Sequence, residues 1–210
     1  MKKIKQDIVK TLKKMNNLEL IIGSEGNISC KNANKIFITP SGIETLKMNH
    51  DDIVELDLKG RVLNNKKPSS EILMHLDLYK SRPKINSIVH CHSMWSSVLS
   101  CQRKKIPAFH YMVAEFGGND IRCAKYATFG SSHLAKNVVT AMNEREGCLL
   151  ANHGQLTVGK NLQVAFNFAV ALEKICKQFF FCSLLKQTKI LENDEMRKIL
   201  KLFKNYKIKH

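Results

Sequence analysis

The chain has 210 residues, of which 44% are hydrophobic and 25% charged, so its length and composition are those of one folded domain. This composition excludes a chain that is disordered throughout. No segment approaches the roughly 20 apolar residues of a membrane helix. Lysines interrupt the first 20 residues, which excludes a typical signal peptide and predicts a cytoplasmic protein without a membrane partner.

The charge is strongly positive, with 34 Lys and Arg against 18 Asp and Glu and a formal net charge of +16. Such a field favours anionic partners, from nucleic acid to a phosphorylated metabolite. The lysines are spread along the whole chain without a basic block, and no nucleic-acid-binding motif accompanies them. We therefore expect solvated lysine-rich faces and no specific nucleic-acid partner.

Apolar periodicity and turn residues predict helices and strands that alternate irregularly. In chain order these are a helix at 4–15, strands at 28–30 and 35–39, a hairpin of strands 53–57 and 61–63, a helix from Pro68 through 79, a strand at 87–90, a helix at 95–99, a turn at 117–120, a helix at 134–142, a strand at 147–151, and helices at 162–185 and 194–203. This order predicts an α+β or mixed α/β fold, with one domain over residues 1–210 and a mainly antiparallel sheet covered by helices.

Seven cysteines occur without a CxxC pair, and their number is odd. In a chain without an export signal they are expected to be reduced thiols, mostly buried. Neither a disulfide framework nor a cysteine zinc site is predicted.

The segment His90-Cys91-His92 ends an apolar strand. Side chains alternate between the two faces of a strand, so His90 and His92 point the same way and can bind one metal ion. The same pattern also fits a hydrogen-bonded pair of histidines.

A third candidate ligand, His153, follows the strand at 147–151 and precedes Gly154. Three histidines with an open fourth position are typical of a catalytic metal site. Among the other histidines, solvated side chains are expected at 50, 75, 133 and 210, and a packed or hydrogen-bonded one at 110.

Glu71 is the candidate acid–base group, because it lies at the start of the helix after Pro68. A partly desolvated carboxylate beside a metal can exchange a proton at neutral pH. The alternative is a helix-terminal glutamate that only complements the helix dipole.

Three turns carry backbone N–H groups and small polar side chains suited to an anion. They are Gly26-Asn27, Ser41-Gly42 and Ser69-Ser70. A Walker or dinucleotide-binding glycine motif is absent from the sequence, so nucleotide binding is not predicted.

Taken together, these segments resemble the class II aldolase/adducin family. The motifs that carry the resemblance appear in the family's order and cover nearly the whole chain. They are Gly26-Asn27-Ile28-Ser29, Thr39-Pro40-Ser41-Gly42, Pro68-Ser69-Ser70-Glu71, His90-Cys91-His92, residues 106–112, residues 126–130, Asn152-His153-Gly154 and residues 203–206.

The resemblance implies one α/β/α domain with a central, mostly antiparallel sheet, and a ring-like homotetramer with active sites between neighbouring subunits. It also implies one Zn²⁺ per subunit. The roles that it implies are metal ligands at His90, His92 and His153, catalytic groups at Glu71 and Tyr111, a phosphate cradle of Asn27, Ser41, Gly42, Ser69 and Ser70, and aldehyde-end aromatic groups at Phe129 and Tyr206.

The activity implied by the resemblance is reversible cleavage of a ketose 1-phosphate of the fuculose type to dihydroxyacetone phosphate and an aldehyde. Members acting on 5-deoxy- or methylthio-pentulose phosphates, and pentulose-phosphate epimerases or dehydratases, stay open as alternatives. Glu115 and Phe116 stand where fuculose-type members carry small residues, so they would narrow the pocket if they line it. Glu115 is also the group that a dehydratase would need as an extra acid–base residue.

Overall fold

A sheet of seven strands lies at the centre of the computed structural model, which describes the backbone of residues 1–209 and the side chains of residues 1–205. The strands of this sheet and of a separate two-stranded pair are, in chain order, β1 (Asn27–Asn32), β2 (Lys35–Ile38), β3 (Val54–Asp57), β4 (Ser87–Cys91), β5 (Ile106–Pro107), β6 (Asp120–Ile121), β7 (Cys123–Ala124), β8 (Gly147–Leu150) and β9 (Gly154–Gly159). The order in the large sheet is β3-β2-β1-β4-β9-β8-β7, while β5 and β6 form a separate pair. Within the large sheet, the described strand pairs are antiparallel, except for the parallel pair of β7 and β8.

Helices cover both faces of this sheet. They are α1 (Lys2–Asn17), α2 (Ile72–Ser81), α3 (Met94–Ser100), α4 (Ser132–Ala141), α5 (Leu162–Leu184) and α6 (Asn193–Lys209), and two 3₁₀ segments occupy His50–Asp52 and Tyr111–Phe116. Side chains of α2 and α4 share one core with alternate residues of the strands, and those of α1 and α5 share a second core on the opposite face. The predicted α/β/α fold with a mostly antiparallel sheet is confirmed.

The helix α1 shows how the sequence pattern produces this layering. Its buried residues are Ile8, Val9, Leu12 and Met15, which lie on one helical stripe. Burying each such side chain contributes about 1.5–3 kcal/mol, whereas the lysines of the opposite stripe stay in water. The helix therefore packs on the sheet through one face only.

The predicted hairpin at 53–57 and 61–63 is only partly correct. Its first half forms β3, but the second half makes one isolated bridge, between Leu56 and Val62, and is not a strand. Val62 is 37% exposed, so this segment has no apolar face to bury against the helices. The strands β5, β6, β7 and β9 were not predicted from the sequence.

All seven cysteines are free thiols, in agreement with the sequence-based prediction. Four of them are buried, at positions 30, 91, 148 and 176. Burial raises the pKa of Cys30 to about 11 and that of Cys91 to about 12. These thiols therefore stay protonated and pack as small apolar groups.

No helix in the described part of the chain is both long and apolar enough to cross a bilayer.

Candidate metal centre and substrate cavity

The end of β4 presents two imidazoles to the same side of the sheet. His90 pairs with Asn27 of β1 and with Leu156 of β9, and its side chain is fully buried. His92 follows the last residue of the strand, and its Nε2 atom lies 3.0 Å from Nε2 of His90. Cys91 points into the opposite core, as the alternation of a strand requires.

His153 reaches the same point from the tight loop that joins β8 to β9. Asn152 takes a left-handed conformation with φ of 53°, which asparagine tolerates better than most residues. The N–H of His153 donates to the carbonyl of Leu150 at 3.0 Å and to the hydroxyl of Ser100 at 3.1 Å. A Cβ atom at Gly154 would collide with the carbonyl of Cys91, so glycine is required for this close approach.

Glu71 completes the cluster from the start of α2. Its Oε2 atom lies 3.0 Å from Nε2 of His90, and its Oε1 atom lies 3.4 Å from Nε2 of His153. One donor atom from each of Glu71, His90, His92 and His153 lies within 4.8 Å of the others. The structure thus brings together the four residues that the sequence assigned to the metal and to proton transfer.

The hydrogen bonds around His90 fix which ring nitrogen faces the cluster. Its Nδ1–H donates to the carbonyl of Gln155 at 2.8 Å, so Nε2 carries the lone pair in the neutral ring. Acceptor atoms as close as 3.0 Å repel one another unless a cation or protons lie between them. Oε1 of Glu71 is a buried oxygen that accepts no hydrogen bond from the described residues.

These observations fit a divalent cation. Ligand atoms of a tetrahedral zinc site lie about 3.3 Å apart when the bonds are about 2.0–2.1 Å long. The separations of 3.0 and 3.4 Å around Glu71 and His90 are close to that value. Three imidazole nitrogens and one carboxylate oxygen are also a donor set that zinc prefers.

The pKa values within the cluster reflect burial and mutual charge. Burial raises the pKa of Glu71, but the attraction of His90 and the hydrogen bonds to the carboxylate outweigh burial and hold the pKa well below its usual range. Burial lowers the pKa of His92 to about 3 and that of His153 to about 4, and repulsion from His90 adds to both shifts. Neutral imidazoles are the form that binds a metal.

Burial also lowers the pKa of His90, but the charge of Glu71 outweighs this effect and raises the pKa above its ordinary value. The positive charge that a metal brings would occupy the same position as this proton.

His75 is the histidine that the sequence interpretation placed wrongly. It was expected to be solvated, but it is fully buried on α2 and bonded to Ser29 and Asn27. The polar partners come from β1, which the helix covers, and a sequence pattern for α2 alone does not include them. His133 is exposed and His50 partly exposed, His110 accepts from the N–H of Met112, and His210 lies outside the described residues.

A cavity of about 610 Å³ opens beside this cluster. Its wall includes the three predicted anion-binding turns at 26–27, 41–42 and 69–70, together with Glu71, His92 and His153. Gly26 has φ of +67°, and a Cβ atom there would lie 2.7 Å from the carbonyl of His90. The turn at 26–27 can therefore approach β4, the strand that carries His90, only with glycine at position 26.

Part of the hydrogen-bonding capacity of these turns is already used. The N–H of Ser41 donates to the carbonyl of Lys67, and the N–H of Ser69 donates to the carbonyl of Thr39. The side-chain N–H₂ of Asn27 donates one hydrogen to Glu71 and has a second one left. Lysine and arginine are absent from the described lining, so an anion here would depend on hydroxyl and N–H donors.

Of the residues predicted for the aldehyde end, only some line the cavity in the described part of the chain. Phe129 lines the cavity beside Tyr126 and is 65% exposed, whereas Tyr111 is 50% exposed and is not part of the lining. Phe116 packs in the core under α5, so it does not narrow the cavity, and Glu115 is also outside the lining. The side chain of Tyr206 lies outside the described residues, so its role stays a prediction.

Three imidazoles and a carboxylate beside an open, hydroxyl-lined cavity are the donor set of a metal-dependent enzyme rather than of a closed structural site. The model of the class II aldolase and adducin N-terminal domain matches residues 6–180. The chain belongs to the class II aldolase and adducin family, and it is an aldehyde-lyase of the class II aldolase type.

Similar proteins cover almost the whole chain. A 5-methylthioribulose-1-phosphate/5-deoxyribulose-1-phosphate aldolase of Rhodospirillum rubrum is 39% identical over 203 residues, which are 97% of this chain and 92% of the relative. An L-fuculose phosphate aldolase of Haemophilus influenzae is 38% identical over 204 residues, which are 97% and 94% of the two chains. The solved structure of an L-fuculose 1-phosphate aldolase superposes with a TM-score of 0.92 at 38% identity and covers 96% of each chain.

Proposed function

We propose that this protein reversibly cleaves a ketose 1-phosphate into dihydroxyacetone phosphate and an aldehyde. The observation that carries the proposal is the cluster of Glu71, His90, His92 and His153 at the cavity that contains the three polar turns. The cluster suits the reacting carbon atoms, and the turns suit a phosphate at the end of a three-carbon fragment. One domain over residues 1–210 carries the activity, and its cytoplasmic location stays a prediction.

The metal in this proposal is one Zn²⁺ per subunit, held by His90, His92 and His153, with Glu71 as an exchangeable fourth ligand. When bound, the cation stabilises as a Lewis acid the negative charge that develops on substrate oxygens. Glu71 then carries the proton to and from the carbon of the three-carbon fragment. Its buried Oε1 atom, which accepts no hydrogen bond from the described residues, is available for that proton.

The polar turns bind and orient the phosphorylated fragment. The residues that would do so are Asn27, Ser41, Gly42, Ser69 and Ser70, which line the same cavity as Glu71, His92 and His153. Binding energy from this remote group holds the reacting carbon in position. The net positive charge of the chain attracts anionic substrates from a distance, and salt weakens this attraction.

Tyr111 exchanges a proton with the aldehyde oxygen as the carbon–carbon bond breaks or forms. Because Tyr111 is exposed and outside the cavity lining of its own chain, a neighbouring subunit is needed to bring this tyrosine to the site. The homotetramer with active sites between subunits that the family resemblance implies would supply a tyrosine in this way. Phe129, already at the cavity, and Tyr206 border the aldehyde.

Two substrate classes fit this arrangement. The 39% identical relative favours a 5-deoxy- or 5-methylthio-pentulose 1-phosphate, and the L-fuculose phosphate aldolases favour fuculose 1-phosphate. Each of these sugars ends in an apolar methyl or methylthio group, and the side chains of Tyr126 and Phe129 at the cavity offer apolar surface to such a group. We therefore place the specificity for an apolar tail at this wall.

The test is a coupled assay of dihydroxyacetone phosphate release from 5-deoxyribulose, 5-methylthioribulose and fuculose 1-phosphates, with and without a chelator. We expect release from at least one sugar, loss with the chelator and recovery with added zinc. Release that survives the chelator, together with inactivation by borohydride in the presence of substrate, would indicate an imine enzyme instead.

The same assay, extended to pentulose 5-phosphates and to analysis of all products, distinguishes the alternatives within the family. An epimerase would interconvert pentulose 5-phosphates, and a dehydratase would consume the methylthio sugar, in both cases without forming dihydroxyacetone phosphate. Measuring DNA binding together with metal content tests whether the positive charge serves to bind nucleic acid. We expect stoichiometric zinc and only weak, salt-sensitive DNA binding.

A further inference from the structure

A continuous chain of buried hydrogen bonds leads from Glu71 into the core between β1 and α2. The OH of Tyr79 lies 2.8 Å from Oγ of Ser29, and that oxygen lies 2.7 Å from Nδ1 of His75. Nε2 of His75 lies 2.6 Å from Oδ1 of Asn27, whose Nδ2 donates to Oε2 of Glu71 at 3.0 Å. All five residues are buried.

The periodicities of a helix and a strand produce this arrangement. Glu71 and His75 are four residues apart at the start of α2, so they lie on the same face of the helix. Asn27 and Ser29 are two residues apart on β1, so they point to the same face of the sheet. The two pairs interleave where the helix packs on the strand.

The direction of every hydrogen bond in this hydrogen-bond chain follows from Glu71, its last member. An ionised carboxylate only accepts hydrogen bonds, so Asn27 must turn its N–H₂ group toward Glu71 and its Oδ1 toward His75. His75 must then carry its proton on Nε2. Consequently, Nδ1 of His75 accepts from the hydroxyl of Ser29.

The remaining bond is fixed in the same way. Because the hydroxyl hydrogen of Ser29 points to His75, Ser29 accepts from the OH of Tyr79. Burial lowers the pKa of His75 to about 3, and repulsion from His90 acts in the same direction, which keeps the ring neutral as this pattern requires. In this pattern, every hydrogen bond from Tyr79 to Glu71 joins one donor to one acceptor.

We propose that His75 is a positioning residue for Glu71, which it controls through the orientation of the Asn27 amide. This inference depends on the proposed function, because it assigns His75 to the proton transfer by Glu71. Without the N–H of His75, the amide of Asn27 loses the bond that fixes its orientation. Its oxygen can then turn toward Glu71, where it repels the carboxylate and moves it from the reacting carbon.

Two polar substitutions of different length separate this role from simple space filling. In His75→Gln the amide nitrogen reaches about as far as Nε2 of histidine and can still donate to Asn27. In His75→Asn the shorter amide reaches only as far as Nδ1, so the bond to Ser29 is kept and the bond to Asn27 is lost. Both variants place a neutral amide in the same buried position.

With the loaded enzyme and its best ketose 1-phosphate, we expect kcat of His75→Gln to stay within about threefold of wild type. For His75→Asn we expect kcat to fall about 10–100-fold, as for other residues that orient a metal-site carboxylate, while KM changes by less than about threefold. Metal content and Tm of each variant are measured in parallel. The proposal is wrong if a folded, metal-loaded His75→Asn keeps the wild-type kcat, or if both variants lose kcat equally.

A readout independent of activity is the ¹⁵N spectrum of the ring nitrogens of His75, assigned by the loss of its signals in His75→Gln. We expect a neutral ring with the proton on Nε2 in both the metal-free and the metal-loaded protein. A proton on Nδ1, or on both nitrogens, contradicts the proposal even if neither variant can be assayed.

The two readouts keep the proposals separate. If wild type releases no dihydroxyacetone phosphate from any sugar, the proposed function fails, and the tautomer still reports on the hydrogen-bond chain. If wild type is active and His75→Asn is equally active, only the role of His75 fails.

Discussion

The two ends of the cavity differ in how completely one chain builds them. At the metal end, His90 is fully buried on a central strand, and hydrogen bonds hold it and the loop of His153 in place. At the aldehyde end, Phe129 is 65% exposed and Tyr111 is exposed outside the cavity lining. The predicted metal ligands thus lie at buried or partly buried positions of the sheet and its loops, and the residues proposed to contact the aldehyde lie on exposed segments.

This difference suggests how one fold acts on several related sugars. Ligands on central strands keep a fixed geometry because the surrounding core resists displacement. Exposed residues at the rim can change without disturbing that core. We therefore expect substitutions at the metal end to remove activity and substitutions at the rim to change rate or substrate preference.

The largest effect is expected from His153→Ala. Removing one of three imidazoles lowers metal affinity strongly, so we expect loss of the bound metal and a fall in kcat/KM of at least about 10³-fold. Metal analysis and the coupled assay measure both effects. The control is His133→Ala, which removes an exposed histidine of α4 and should leave both values unchanged; retention of metal and activity in His153→Ala would contradict the assignment.

Glu71→Gln is expected to keep the metal and lose turnover. The amide cannot carry the proton, and such a loss typically lowers kcat about 10²–10⁴-fold. The matched control is Glu25→Gln, which neutralises an exposed glutamate on the wall of the same cavity. Unchanged kcat in metal-loaded Glu71→Gln would remove this residue from the mechanism.

Tyr111→Phe tests the proposed role of the exposed aldehyde end. We expect full metal content and a fall in kcat of about 10–100-fold, because only the proton exchange with the aldehyde oxygen is lost. Subunit mixing then tests whether the site is shared between chains. When Tyr111→Phe and Glu71→Gln subunits are mixed equally and reassembled, roughly a quarter of shared sites regain both groups. Mixtures no more active than their separate components would place Tyr111 outside a shared site.

The smallest effect on activity is expected from Asp120→Asn, which lies away from both ends of the cavity. Asp120 pairs with the buried Arg145 at 3.1 Å and with Lys105 at 3.1 Å. Burial raises its pKa, but the hydrogen bonds from Lys105 and Arg145 outweigh burial and hold the pKa below its usual value.

Because the folded-state pKa is lower than the unfolded one, Asp120 stabilises the fold above pH about 4, and this contribution is lost as pH falls through the folded-state pKa. We expect Asp120→Asn to lose about 1–3 kcal/mol at pH 7 and kcat to stay unchanged. Thermal unfolding from pH 7 to pH 3 measures the difference in stability, which should shrink toward acid. A difference that grows toward acid would assign the stability to another group.

Periodicity was sufficient for most of the fold. The stripe of α1, the long apolar repeat of α5 and the apolar run of β4 are strong local signals, and each element forms where it was predicted. The strand β9 was not predicted, although it lies at the centre of the sheet. Its short sequence begins and ends with glycine, and its burial depends on pairing with β4, which is distant in the chain.

The site was predictable to a similar extent. The motifs identified the four residues that the structure brings together, because their order along the chain resembles that of a known family. The burial of His75 was not predictable, because its partners belong to β1 and meet it only when α2 packs on that strand. The exposure of Tyr111 also depends on packing, which the motif around it does not describe.

The most direct test of the metal centre is anomalous diffraction at the zinc edge from crystals of the zinc-loaded protein. We predict one peak per chain within about 2.0–2.1 Å of the Nε2 atoms of His90, His92 and His153. Crystals of active protein with no peak among these three imidazoles, or with the peak at other residues, would contradict the account.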